Sequence, residues 1–292
     1  MRSVVRISDG LGNQLFQYAF GYSFAQKTGQ DIILDPFFWG SALRSYQLDK
    51  FRIRYTERFI DPIWDYILGV GPRNARCFKE KYRDAKIEKE YRLVRENKPM
   101  EYDSTVYDMR DAVYFQGFWQ SPCYFDEFYD EIRRQFTIKG SLSGRAKDYE
   151  MQMGKENSVS LHIRRTDYDR DVNNVCLGGS FYEEALRGME QSVGDFCLFL
   201  FTDDKEFVRK NFDLHEYILV EDISDIEEFV LMQRCRHHIV ANSTFSWWGA
   251  YLAENKGGTV FAPVADIWTK EFYPAQWNLI RTRVGNGEGK KI

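Results

Sequence analysis

The chain opens with an apolar run, VVRIS, in which Val4, Val5 and Ile7 predict a buried strand. Polar DGLG follows. Then comes NQLFQYAFGYSFAQKTG, where Leu15, Phe16, Tyr18, Ala19, Tyr22 and Ala25 spread a wide apolar face over one helix. Asn13 is placed to cap that helix and Gly29 to end it. DIILD reads as the next strand, so the start of the chain is a β-loop-α-β unit. Residues 79–98 are dense in mixed charge, with Tyr82, Ile87, Tyr91 and Val94 spaced through them, and predict a solvated helix, with a membrane-surface or partner-binding helix as the alternative.

From 139 to 158 the chain is polar and carries three glycines. That stretch is the expected boundary between a domain of residues 1–150 and one of residues 151–292. The pattern then becomes regular. SVSLHI, FCLFLFT, YILV, HHIVAN and GGTVFAP read as strands. FYEEALRGMEQS, DDKEFVRKNF, DIEEFVLMQRC and STFSWWGAYLAEN read as the helices between them. Strands alternating with helices predict a parallel, doubly wound sheet with right-handed crossovers.

The length, 292 residues, suits two domains. A net charge of -4 gives no reason to expect nucleic acid as a partner. The five cysteines are odd in number and include no CxxC pair, so they read as reduced thiols of a cytoplasmic protein. The N-terminal MRSVVRISDG has no signal-peptide core, and no run approaches the ~20 apolar residues of a membrane span. A peripheral contact with the inner membrane is the one membrane role left open. Aromatic residues reach 16%, enough to fill a core and still stack on sugar rings or a base.

In a doubly wound sheet the ligand lies beyond the carboxyl ends of the strands. Arg164, Arg165, Thr166 and Asp167 follow SVSLHI, Asp203 and Asp204 follow FCLFLFT, and Ser243, Thr244 and Ser246 follow HHIVAN. Two arginines and a Ser/Thr-rich helix start on one edge make an anion site, and a diphosphate is its natural ligand. GLGNQ is only half a dinucleotide fingerprint, because Leu15 stands where a third glycine is needed. DYDRD holds Asp167, Asp169 and Asp171 at D-x-D spacing, which suits Mg²⁺ or Mn²⁺ on a nucleotide. The arginine pair already supplies positive charge there, so no metal is expected. His237 and His238 fit no zinc spacing and read as structural. For His162 a ligand-facing role and a buried structural one both stay open.

DGLGNQLFQYAFGYSFA, YQLDKFRI, GFWQSPCYFDEF, SLHIRRTDY, LFTDDKEF and IVANSTFSWWGAYLA resemble glycosyltransferase family 11, the α-1,2-fucosyltransferases. The resemblance runs from about residue 4 to residue 270. It implies an α/β, GT-B-like fold: two Rossmann-like domains whose parallel sheets face each other across a cleft. The first domain would be the acceptor side, and the second would bind GDP-fucose. It implies inverting transfer of L-fucose from GDP-β-L-fucose to O2 of a galactoside in a glycan, with no required cofactor or metal. By matching position, Arg164 would hold the β-phosphate and His162 would lie near the nucleoside or diphosphate. Ser243, Thr244, Phe245 and Ser246 would cradle the phosphates, and Glu228 would read the guanine edge, while Arg165 and Asp203 join the donor edge by their strand-end positions. Gly12 and Asn13 would face the donor sugar from the first domain. Asp167 is the nominated general base, with Asp9 and Asp203 as rivals. Asp9 departs from the family, which commonly has glycine before GLGNQ. No motif assigns the acceptor surface, expected within 36–110. Two rival readings remain: a metal-dependent glycosyltransferase for another nucleotide sugar, and a non-catalytic sugar-nucleotide or glycan-binding protein.

Overall fold

The computed structural model of the chain describes residues 1–36, 45–59, 83–165, 176–254, 257–265 and 268–282. They form two compact units, Met1–Gly140 and Ser141–Ile292.

The first unit is built on a parallel sheet of four strands in the order β2-β1-β4-β3. These are β1 Arg2–Ile7, β2 Asp31–Pro36, β3 Arg92–Arg95 and β4 Val113–Gln116. Val4, Val5 and Ile7 are fully buried, as befits a strand covered on both faces. Helix α1, Leu11–Thr28, carries the chain from β1 to β2 and is buried almost all round. Aromatic side chains from later segments enclose it: Phe20 stacks on Trp119 with centroids 4.2 Å apart. Gly29 ends the helix as expected, at φ 71°, where it donates its N–H to Ala25 O.

The solvated helix expected over 79–98 is corrected. Positions 83–87 form a helical turn, and the chain then enters strand β3, pairing Leu93 with Tyr114 of β4. Residues 79–82 lie outside the described residues. An edge strand with charged ends, RLVR, is hard to tell from a solvated helix inside a charged stretch. The helix α2 spans Tyr129–Gln135.

The division between the units falls at Gly140/Ser141, ahead of the expected 150/151. The reason is helix α3, Gly144–Lys155, capped by Ser143 accepting from Ala146 N. Ala146, Tyr149 and Met153 recur at helical spacing within the polar run and are buried in the second unit's core.

That unit holds a six-stranded sheet in the order β10-β9-β8-β5-β6-β7, with every pair parallel. The strands are β5 Ser158–Ile163, β6 Cys197–Thr202, β7 Ile218–Leu219, β8 His237–Ile239, β9 Val260–Val264 and β10 Asn278–Arg281. Helices α4 Gly179–Val193, α5 Lys205–Asn211, α6 Asp225–Arg234 and α7 Thr244–Tyr251 connect them. Side-chain alternation divides the strands between two cores. Leu161, Ile163, Leu198 and Leu200 pack with α4 and α5. Phe199 and Phe201 pack with α3 and α6. From β5 the chain winds outward through β6 and β7, then returns to the other side of β5 for β8, β9 and β10. A crevice opens at the carboxyl ends of such a reversing pair, here β5 and β8. The first unit has the same reversal between β1 and β4. Among the described residues, no helix is long and apolar enough to cross a membrane.

Candidate active site

Alternation along β5 also separates the two arginines. Arg165 shares the parity of Leu161 and Ile163. Its guanidinium lies 3.5 Å from the Phe207 ring centroid, and the residue is only 7% exposed. Arg164 shares the parity of His162, on the side of Phe245, whose ring centroid is 6.0 Å from the imidazole. Asp203, beyond the end of β6, ties the pair down. One carboxylate oxygen accepts from Arg165 N at 2.9 Å, and the other lies 3.2 Å from Arg164 Nε. Arg164 and Asp203 are each about one-fifth exposed, so their ion pair orients the guanidinium more than it stabilises the fold. Asp204 caps α5 by accepting from Phe207 N, which fixes the ring under Arg165.

His162 is buried, and its Nδ1 has no hydrogen-bond partner among the described residues. Burial, with the positive charge of Arg164 adding to it, pushes its pKa down to about 4. The ring is therefore neutral at neutral pH and offers a hydrogen bond rather than a charge.

The α7 end of the crevice is polar and carries no acidic residue in its first turn. Ser243 is the N-cap, its hydroxyl accepting from Phe245 N at 3.4 Å. Thr244 and Phe245 are partly exposed at the helix start. Ser246 is placed differently: its hydroxyl donates to Ser243 O and accepts from Ala241 N, which locks the loop from within. The helix dipole and the first N–H groups favour an anion at this end. Phe245 also packs near Phe229 of α6, centroids 5.6 Å apart, which brings the neighbouring Glu228 to the same side of the sheet. Glu228 sits 3.4 Å from Lys205 Nζ. Burial raises its pKa to about 7 against the lowering pull of Lys205.

In the first unit, Asn13 is not the helix cap. Gly10 occupies the N-cap position, with no side-chain cap, and Asn13 lies within the first turn. The cause is Asp9, whose left-handed φ of 64° turns the chain two residues before Leu11. Asn13 Oδ1 instead accepts from Gln120 Nε2 at 2.9 Å. Gly12 is buried in the same turn. Gln17 binds Ser8 N and Gly117 O, at 2.9 and 3.0 Å, and so clamps the ends of β1 and β4. Glu96 accepts from Phe118 N and Trp119 N, at 2.8 and 2.9 Å, and holds the loop after β4.

Asp167, Thr166, Asp169 and Asp171 lie outside the described residues. Among the described residues, no three His, Cys, Asp or Glu side chains cluster as a metal site. His237 and His238 are spent structurally: Thr259 N donates to His237 Nδ1, and His238 Nδ1 pairs with Ser160 Oγ at 2.8 Å. Sequence reading missed Gln17, Glu96, Lys205, Phe207 and Gln120. Gln17 does stand in the GLGNQ helix, but the partners of Glu96 and Gln120 lie in remote segments, with no local signal.

Residues 66–281 match Glycosyl transferase family 11. The chain is 31% identical to an alpha-1,2-colitosyltransferase of Escherichia coli, covering 89% of this chain and 90% of that protein. It is 23% identical to a galactoside 2-alpha-L-fucosyltransferase of Bos taurus, covering 86% of this chain and 64% of that protein. A family 9 glycosyl transferase structure from Veillonella parvula aligns with a TM-score of 0.51 at 12% identity, covering 99% of this chain and 89% of that one. That likeness concerns the fold, which is α/β and GT-B-like as expected, with a parallel sheet in each unit. The chain is a glycosyltransferase and belongs to glycosyltransferase family 11.

Proposed function

We propose that the protein transfers L-fucose, with inversion, from GDP-β-L-fucose to O2 of a galactoside in a glycan, forming an α-1,2 linkage. The observation that carries this reading is Arg164. Asp203 holds it at the β5–β8 reversal, on the side of the sheet that also carries His162, Phe245 and Glu228. As the sugar C1–O bond breaks, the departing diphosphate gains negative charge. A fixed guanidinium and the start of α7 stabilise that charge without reorganising. Glu228 reads guanine by accepting from N1–H and the exocyclic amine, donors that adenine does not present together. Neutral His162 offers Nδ1 to the nucleoside or diphosphate. The second unit takes the donor and the first takes the acceptor.

A carboxylate removes the acceptor hydroxyl's proton. Asp167 remains the nominee. Asp203 suits the task less, because both its oxygens face arginine donors. The names of two family relatives support the α-1,2 linkage. The colitosyltransferase relative also favours a second reading, a colitosyl donor in place of the fucosyl one. We place the enzyme in a bacterial cytoplasm. That is supported by the Escherichia coli relative and by the thiols of Cys123, Cys197 and Cys235, which form no disulfide among the described residues.

The test is melting with nucleotides, followed by turnover. GDP at 100 times its dissociation constant adds roughly 2.7 kcal/mol of stability. UDP and ADP at the same concentration add much less. GDP release from GDP-fucose then rises on adding a galactoside. Equal stabilisation by all three nucleotides overturns the guanine reading, and faster release from the colitosyl donor selects the second one.

A further inference from the structure

A cavity of about 300 Å³ lies within the first unit, beyond the carboxyl ends of β3 and β4. Its size is at the lower end of small-molecule sites, about 300–1,000 Å³. Tyr102, Tyr124 and Trp119 form its aromatic wall. Tyr102 is 41% exposed, with its ring edge-on to Tyr124 at 4.9 Å. Trp119 is 1% exposed, and its indole Nε1 has no hydrogen-bond partner among the described residues. Charged side chains complete the lining, and the two cations among them are already paired. Lys98 Nζ lies 3.2 Å from Glu101 Oε2, and Arg95 lies 2.5 Å from Asp84. Glu96 and Asp103 add two more carboxylates to the wall.

This lining selects a class of ligand. With its cations paired and carboxylates in excess, the cavity disfavours a phosphate or any other anion. A purely apolar guest would strand the charged wall. A neutral pyranose meets both halves: its C–H face packs on tyrosine, and its hydroxyls donate to carboxylates. Position points the same way. Glu96 lines the cavity and also holds Phe118 N and Trp119 N, in the loop that ends at Gln120, the partner of Asn13. Gly117 makes that packing possible: a Cβ there would come within 2.4 Å of Glu96 Cβ.

We infer that the cavity between Tyr102, Tyr124 and Glu101 seats a neutral sugar unit of the acceptor glycan. The inference rests on the proposed transfer to a galactoside, but its test is separable. Saturation-transfer NMR with lactose alone, without donor, reads the cavity directly. Lactose resonances saturate with the parent protein, and the effect disappears in Tyr102→Ala and in Glu101→Ala. Both residues are at the surface, and melting curves of the variants match the parent. In turnover assays Tyr102→Ala raises the acceptor KM roughly three- to tenfold. Its affinity for GDP, measured by melting, is unchanged. Undiminished lactose saturation in both variants, or none in the parent, overturns the inference. Lactose saturation that depends on Tyr102, in a protein that ignores GDP, upholds the sugar site and overturns the donor reading instead.

Discussion

Gln120 Nε2 donates a 2.9 Å hydrogen bond to Asn13 Oδ1, joining the loop after β4 to the first turn of α1. The two lie where the first unit's strand order reverses, so the GLGNQ loop is held by a partner beyond the next strand over. That makes Asn13 a positioned side chain, not a cap, and sharpens what its replacement tests.

Asn13→Asp keeps an oxygen for Gln120 to donate to. It also adds negative charge near a helix N-terminus, which favours the helix by about 0.3–1 kcal/mol. Melting should therefore match or slightly exceed the parent. On the proposal that Asn13 meets the donor sugar, a negative charge there repels the diphosphate, so turnover falls sharply. A melting curve and a GDP-release rate on one preparation check both parts. Parental turnover would confine Asn13 to holding Gln120.

Arg164→Lys keeps the charge but loses the planar fork. The expected loss is on the order of a hundredfold to a thousandfold in kcat, with melting little changed. Arg165→Lys behaves in the opposite way. Arg165 is 7% exposed and stacks on Phe207, so its replacement lowers melting first. Kinetics and melting of both variants separate the roles, and a catalytic loss confined to Arg165→Lys would reverse them.

The pKa of Glu228 near 7 sets two pH dependences. On the proposed role of Glu228, guanine is held by the carboxylate form, so affinity for GDP weakens as pH falls from 8 towards 6. In Glu228→Gln that extra slope is absent, and comparing the two proteins cancels the titration of GDP itself. Stability runs the other way. The folded pKa lies above the unfolded value of 4.5, so the native state holds the proton more tightly. Glu228 thus disfavours the folded state progressively as pH rises from about 4.5 to about 7. Glu228→Gln should gain stability relative to the parent at pH 8 and not at pH 4. Urea denaturation across that range measures it.

Asp9 sits at φ 64°, the conformation glycine adopts without penalty. Asp9→Gly should keep both melting temperature and turnover, because the exposed carboxylate does no chemistry if Asp167 is the base. Asp9→Val should cost about 1–2 kcal/mol, the strain of a left-handed L-residue. A hundredfold fall in turnover for Asp9→Gly, with normal melting, would move the proton-accepting role to Asp9.

Much of this was legible in the chain because it is local. The strands of the second unit, the helices between them and the glycine stop of α1 follow from periodicity and backbone chemistry over a few residues. The misreadings share a cause. β3 reads as helix from its sequence and β4 gives no strand signal, since an edge strand and a four-residue strand show too little of their period. α3 gives little local signal inside the boundary stretch 139–158, because three buried residues in twelve do not outweigh a polar composition.

What the sequence determined by itself is the set of strand-end residues and the parallel winding that brings them to one edge. A right-handed crossover leaves few other topologies, so Arg164, Asp203 and Ser243 had to share that edge. Only the tertiary structure decided which arginine turns toward His162 and which stacks on Phe207. It also decided that Ser246 locks its own loop and that Asn13 answers to Gln120. Those outcomes depend on pleat parity against two different cores and on hydrogen bonds that span up to 107 residues. Neither a motif nor a spacing encodes them, because the partner that settles each one is brought near only by folding.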